Sequence, residues 1–89
     1  MSDMRPMELK DTIEMMVSED YKERFKAEYC QVKIRYEKLK YMLERWDSGL
    51  LDFTPTCPRN TYNMQFRAMR DYIAVLEARA VMEEVTLPS

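Results

Sequence analysis

The sequence predicts an all-α fold: a short N-terminal helical turn plus a long antiparallel helical hairpin, assembling into an oligomeric helical bundle. Three observations predict it. Residues 18–48 contain no glycine and no proline, and a second breaker-free stretch runs from Arg59 to Thr86. The segment between them holds the only glycine, Gly49, and two of the four prolines, Pro55 and Pro58, the residues that punctuate helices. Within both long stretches the apolar residues recur at three- and four-residue steps, the period of a helix face.

The chain of 89 residues makes one domain. It divides into a leader (1–10), a long helix (18–48), a loop (49–58), a second helix (59–84) and a tail (85–89). In the leader, MSDMRPMELK lacks the apolar core of a signal peptide, which gives a cytoplasmic location as the expectation. Asp11-Thr12-Ile13-Glu14 has the Asp-x-x-Glu spacing of a capping box and opens a short apolar turn, Ile13–Val17. Ser18 reads as the N-cap of the long helix, with Glu19 and Asp20 in the first turn, where acids complement the helix dipole.

Along the long helix, Phe25, Val32, Leu39 and Trp46 recur every seven residues, and Tyr29, Tyr36 and Leu43 form the companion row. Such 4-3 spacing is a heptad seam. A second apolar row, Ala27, Cys30, Ile34 and Tyr41, lies on nearly the opposite side at about 100° per residue. Between seam and second row runs a stripe of Lys22, Lys26, Lys33 and Lys40, bordered by Tyr29 and Tyr36 and diluted by Glu37 and Glu44. On its own chemistry the stripe is either a solvated charged face with i,i+4 pairs or a place for phosphates.

Leu50, Leu51 and Phe53 are expected to plug the closed end of the hairpin. Pro58 suits an early helical position. The last helix gathers Tyr62, Met69, Ile73, Leu76 and Ala80 on one face, with Phe66 flanking it and Met64, Val75 and Met82 as a second row. The tail from Val85 to Ser89 is expected to be untethered. Two helices with two apolar rows each exceed what one seam buries, so a homo-oligomer joined through the second rows is expected.

Composition removes several function classes. There is no histidine, hence neither the usual general base nor the usual metal ligand. One glycine cannot build a glycine-rich phosphate loop. Cys30 and Cys57 are kept apart by the antiparallel layout: Cys57 lies opposite Trp46, and 16 residues of helix from Cys30 to Trp46 rise about 24 Å, so no intrachain disulfide forms between them. A net charge of −2 argues against general nucleic-acid binding, which needs a basic footprint, and no apolar run is long enough to span a membrane. The expectation is a protein that is not an enzyme, with no cofactor and no metal.

Three pieces carry a family resemblance: Asp20-Tyr21-Lys22-Glu23-Arg24-Phe25-Lys26-Ala27-Glu28-Tyr29 with Tyr36-Glu37-Lys38-Leu39 and Met42-Leu43; Phe53-Thr54-Pro55-Thr56-Cys57-Pro58; and Gln65, Met69, Tyr72, Leu76 and Arg79 in the pattern Q-x3-M-x2-Y-x3-L-x2-R. In this order they resemble the crAssphage-related small helical proteins of phages and prophages. That family is similar in size and architecture to the phage anti-CBASS sponges, helical oligomers that hold cyclic nucleotide signals at subunit interfaces. The resemblance implies a non-enzymatic counter-defence protein that sequesters a cyclic di- or oligonucleotide or a related nucleotide immune signal in the host bacterial cytoplasm. Candidate ligand-binding residues follow from chemistry rather than from carry-over: Lys22, Lys26, Lys33 and Lys40 for phosphates, and Tyr21, Tyr29 and Tyr36 for stacking on bases. The alternatives are a protein-binding inhibitor of a host defence complex, such as a CRISPR effector, and a plain helical oligomerisation module.

Overall fold

The computed structural model describes residues 7–88. All of its regular structure is helical. A 3-10 turn at Leu9–Thr12 continues into the short helix α1 (Ile13–Met16); two long helices follow, α2 (Tyr21–Asp47) and α3 (Arg59–Met82). Helices α2 and α3 pack together, and the 3-10 turn and α1 pack on α2. No described helix is long and apolar enough to cross a membrane.

Caps decide where each helix begins, and two expected caps move. The first capping box is formed by Glu8 and Asp11, three residues upstream of the expected one: Glu8 is the N-cap, and its backbone N–H donates to Asp11 Oδ2 at 2.9 Å. Asp11 therefore answers a cap instead of being one. The long helix starts at Tyr21, not after Ser18. Asp20 holds an extended backbone and its carboxylate accepts from Lys22 N–H at 2.9 Å, while Ser18 Oγ accepts from Asp20 N–H at 3.0 Å. Two short polar side chains close in sequence compete for the same role, and the acid two residues nearer the helix takes it.

Both long helices end in the same way. After α2, Gly49 adopts φ +72°, its N–H donates to Trp46 C=O and the Leu50 N–H reaches back to Arg45 C=O. After α3, Glu84 adopts φ +56°, its N–H donates to Val81 C=O and the Val85 N–H reaches Ala80 C=O at 2.9 Å. These are Schellman closures, which need a left-handed residue just past the helix. Here α3 ends at Met82, two residues before the expected boundary, and α2 ends at Asp47, one residue before it.

The core is the predicted seam. Phe25, Tyr29 and Val32 meet Ile73, Leu76 and Ala80, with Met69 and Tyr36 packed at the margin; Leu76 is fully buried. Further along, the Tyr36 ring stacks on Phe66 at 4.7 Å between centroids, and Leu43 is buried. Two expectations fail at the ends. The tail is tethered: Val85 is buried and Leu87 packs on the core, because the Schellman turn folds the chain back over the seam. Leu50 and Phe53 do not plug the hairpin; both are more than half exposed. That end is closed instead by Trp46 against Tyr62, by the Arg59 guanidinium 5.2 Å from the Trp46 ring, and by a two-pronged Arg59–Asp47 pair at 2.6 and 3.2 Å.

The second apolar row of α2 finds its partner inside the chain. Ala27 and Cys30 are buried on the side of α2 that the 3-10 turn and α1 pack against, with Met15 packed on the cluster that contains Cys30. Gln31 Nε2 donates to the buried Thr12 hydroxyl at 2.9 Å, and Thr12 donates in turn to Leu9 C=O at 2.7 Å. Only the far half of that row, at Tyr41, is left exposed, and on α3 Met64, Val75, Val81 and Met82 remain exposed.

Candidate functional site

Two concavities flank one residue, Lys33. The first is a cleft between α2 and α3 of about 210 Å³, lined by Lys33, Tyr36, Arg70, Ile73, Ala74 and Glu77. The second, about 680 Å³, lies on the outer face of α2 beside the residues that lead into the 3-10 turn, against Met7, Ile34, Lys38 and Tyr41 with Glu8 and Glu37 at its edge. Steps of four along α2 from Lys33 through Glu37 to Tyr41 build the wall of the second; Lys33 and Tyr36, three apart, build the wall of the first.

In the cleft, Lys33 and Arg70 supply two cations from opposite helices. Among the described residues each has a loose carboxylate neighbour on its own helix, Glu37 at 3.8 Å and Asp71 at 3.8 Å, and exposed pairs of this kind are worth about 0–1 kcal/mol. Both cations are therefore cheaply redirected to an incoming anion. Ala74 keeps the wall low between them, and Ile73 forms an apolar floor. Glu77 stands at the end of the cleft, and its Oε2 accepts from the buried Tyr29 hydroxyl at 3.0 Å. Burial, and next the Glu77 carboxylate, push the Tyr29 phenol up to about 12, so this hydroxyl stays a donor throughout the neutral range.

The seven sequence-predicted site residues do not converge on one place. Lys33 and Tyr36 line the cleft, and Tyr29 touches it through Glu77. Lys22 lies at the far end of the hairpin, where its Nζ donates to Glu84 C=O at 3.1 Å and ties down the chain after α3. Lys26 pairs with Glu23 at 3.6 Å. Lys40 is exposed. Tyr21 is exposed and meets Phe25 edge-on at 6.4 Å between centroids. Tyr29 is buried in the core, and the half-buried Tyr36 ring stacks on Phe66 and has the Lys33 ammonium 6.0 Å from its centroid, so neither ring is a free stacking platform within one chain.

Arg70 and Glu77, together with Lys38 and Tyr41 at the outer concavity, were not among the residues expected from sequence. The signal for Arg70 and Glu77 was hairpin register: pairing Tyr29 with Glu77 and Tyr36 with Phe66 places positions 70, 74 and 77 across from 33 and 36. Tyr41 was assigned to an oligomer seam. In the single chain its ring is exposed, with the Arg45 guanidinium 5.6 Å from its centroid and donating to its hydroxyl at 3.3 Å.

Two cations, a tyrosine edge and one fixed carboxylate can hold a small anion that also carries N–H donors. Among the described residues no group of metal-ligating side chains gathers, and both cysteines are free, Cys30 buried and Cys57 exposed; burial raises the Cys30 thiol pKa, which leaves it protonated and unreactive.

No curated protein and no solved structure matches the chain. A family model does: that of Sequestin matches residues 19–82, which takes in α2, the loop and α3 and so every residue of the interhelical cleft. With well over half of its length matched, the chain belongs to the Sequestin family.

Proposed function

We propose that this protein is a phage- or prophage-encoded counter-defence sponge that binds a cyclic di- or oligonucleotide, or a related nucleotide-derived immune signal, and holds it unchanged. The observation that carries the reading is the family match: the name Sequestin denotes sequestration, and the matched segment is the hairpin that bears Lys33, Tyr36 and Arg70. Two cations in one cleft suit phosphates, and the absence of histidine leaves no ordinary general base to turn a ligand over. A cleft of about 210 Å³ is smaller than the roughly 300–1,000 Å³ of small-molecule sites. One chain therefore offers part of a site, and a homo-oligomer joined through the apolar residues left on α2 and α3 completes it.

A sponge works by stoichiometry, so affinity must be high: a nanomolar Kd corresponds to about −12 kcal/mol. The test is calorimetry against cyclic di- and trinucleotides, followed by heating the complex and assaying the released ligand. Saturable heat and recovery of intact ligand are the expected result. Lys33→Glu is expected to abolish the heat while leaving the melting temperature in place, since Lys33 lies off the core seam. Recovery of a linear product would replace sequestration by catalysis. No heat with any ligand of the panel would favour the reading as an inhibitor of a host defence protein, for which the exposed Val75, Val81 and Met82 on α3 are the contact surface.

A further inference from the structure

We propose that Glu77 is the specificity-determining residue of the interhelical cleft and that it selects a guanine over an adenine base beside the phosphate held by Lys33 and Arg70. The inference rests on the sequestration reading of that same cleft and names the ligand class it takes.

A carboxylate is an unexpected wall for a phosphate site, because it repels the charge that the two cations attract. Three features of the structure give it a purpose. Among the described residues, neither Lys33 nor Arg70 closes an ion pair with Glu77, although all three line one cleft; their carboxylate neighbours are Glu37 and Asp71. Glu77 is instead held from beneath by the Tyr29 hydroxyl on Oε2, on a ring that is itself buried in the seam. The Tyr29 hydroxyl thereby anchors one carboxylate oxygen, and Glu77 itself is exposed on α3.

An ionised carboxylate only accepts hydrogen bonds, and its two oxygens can accept two parallel donors. Guanine presents such a pair, the ring N1–H and the exocyclic N2–H. Adenine presents the N6 amine next to the N1 lone pair, so one of the two contacts becomes a repulsion between lone pairs. An acceptor pair anchored at one oxygen thus favours one base and disfavours the other, the two halves of a specificity device. The cleft, at about 210 Å³, takes one such base edge with its adjoining phosphate rather than a whole cyclic dinucleotide, with Ile73 as its apolar floor and Ala74 as its low wall.

Tyr29 acts through Glu77 and is a positioning residue. Its phenol remains protonated to about 12, so the orientation of the carboxylate does not change across the working pH range.

The test is calorimetry of the full chain with two probes, cyclic di-GMP and cyclic di-AMP, for the wild type, Glu77→Gln and Tyr29→Phe, with a thermal melt of each variant. Glutamine keeps the size of the side chain and still accepts from Tyr29, but its amide both donates and accepts, the pattern that matches adenine. The wild type is expected to bind the guanine ligand more tightly by on the order of tenfold or more, the range one bidentate base contact gives. Glu77→Gln is expected to erase or invert that ratio, and Tyr29→Phe to shrink it without changing its sign. Tight binding of both ligands with equal affinity, a preference for adenine, or an unchanged ratio in Glu77→Gln would overturn the assignment of Glu77 while leaving sequestration standing. Binding of neither probe, when another cyclic nucleotide binds, overturns the guanine assignment alone; binding of none overturns both.

Discussion

At the scale of the residue, the two Schellman closures are the most informative comparison in the molecule. The same backbone geometry is filled by Gly49 after α2 and by Glu84 after α3, at φ +72° and +56°. A residue with a Cβ is strained in this left-handed conformation, by roughly 1–2 kcal/mol. Glu84→Gly is therefore expected to stabilise the fold by about 0.5–1 kcal/mol after the added unfolded-state entropy of glycine is subtracted, seen as a higher urea midpoint. The contact to Lys22 uses the backbone carbonyl of Glu84 and survives the change. Tyr29 yields a second prediction. Its folded pKa of about 12 lies above the ordinary tyrosine value, so the folded state favours the protonated phenol. That stabilisation is complete below pH 10 and is lost as pH rises from about 10 to 12. Stability is expected to fall by roughly 1–2 kcal/mol across that window, and Tyr29→Phe to remove this part of the alkaline loss, measured by denaturant melts from pH 9 to 12.

At the scale of the element, the leader is the part whose role changed most between sequence and structure. Ala27 and Cys30 read as half of an intermolecular seam because a single helix shows only that a face is apolar, not what covers it. The 3-10 turn and α1 cover it, and a part-buried polar link from Gln31 to Thr12 to Leu9 ties them to α2. Docking of a short segment is a local equilibrium, less stable than the hairpin itself. Thr12→Asp, which puts a charge into a buried position, is expected to release the leader and raise the rate at which an aromatic disulfide reagent labels Cys30, roughly in proportion to the opened population. Cys57, already exposed, labels at an unchanged rate and serves as the internal reference. Equal Cys30 rates in both proteins would mean that α3, not the leader, shields the thiol. The seam itself was legible because its 4-3 spacing is set by helix geometry alone, and Phe25, Val32, Leu43, Ile73, Leu76 and Ala80 are all buried as that spacing requires. Leu50 and Phe53 were not legible: a loop has no period, and its apolar residues were displaced by the longer reach of Arg59 over Trp46.

At the scale of the whole molecule, one chain leaves apolar surface that its own elements do not cover. Val75, Val81 and Met82 on α3 are each more than half exposed, as is Tyr41 on α2, and large exposed apolar patches mark interaction surfaces. Val75→Asp is expected to shift the protein to a monomer in light scattering at micromolar concentration while circular dichroism keeps the helical signal, because the substitution lies outside the intrachain core. A wild type that is already monomeric would sink the oligomer and leave the cleft to act alone.

Composition and periodicity determined the all-α class, the two long helices, the hairpin seam and the exclusion of histidine-based chemistry, since each depends on residue types and on spacing along one element. The tertiary structure decided which apolar faces are paired within the chain, that Val85 and Leu87 fold back onto the core, and that Lys33, lying over the Tyr36 ring, shares a cleft with Arg70 and Glu77 from the other helix. The physical reason is that a helix fixes the positions of its own side chains to within a few degrees, whereas the relative register of two helices and the path of a short leader are set by packing between residues far apart in sequence, which no periodicity along one element records.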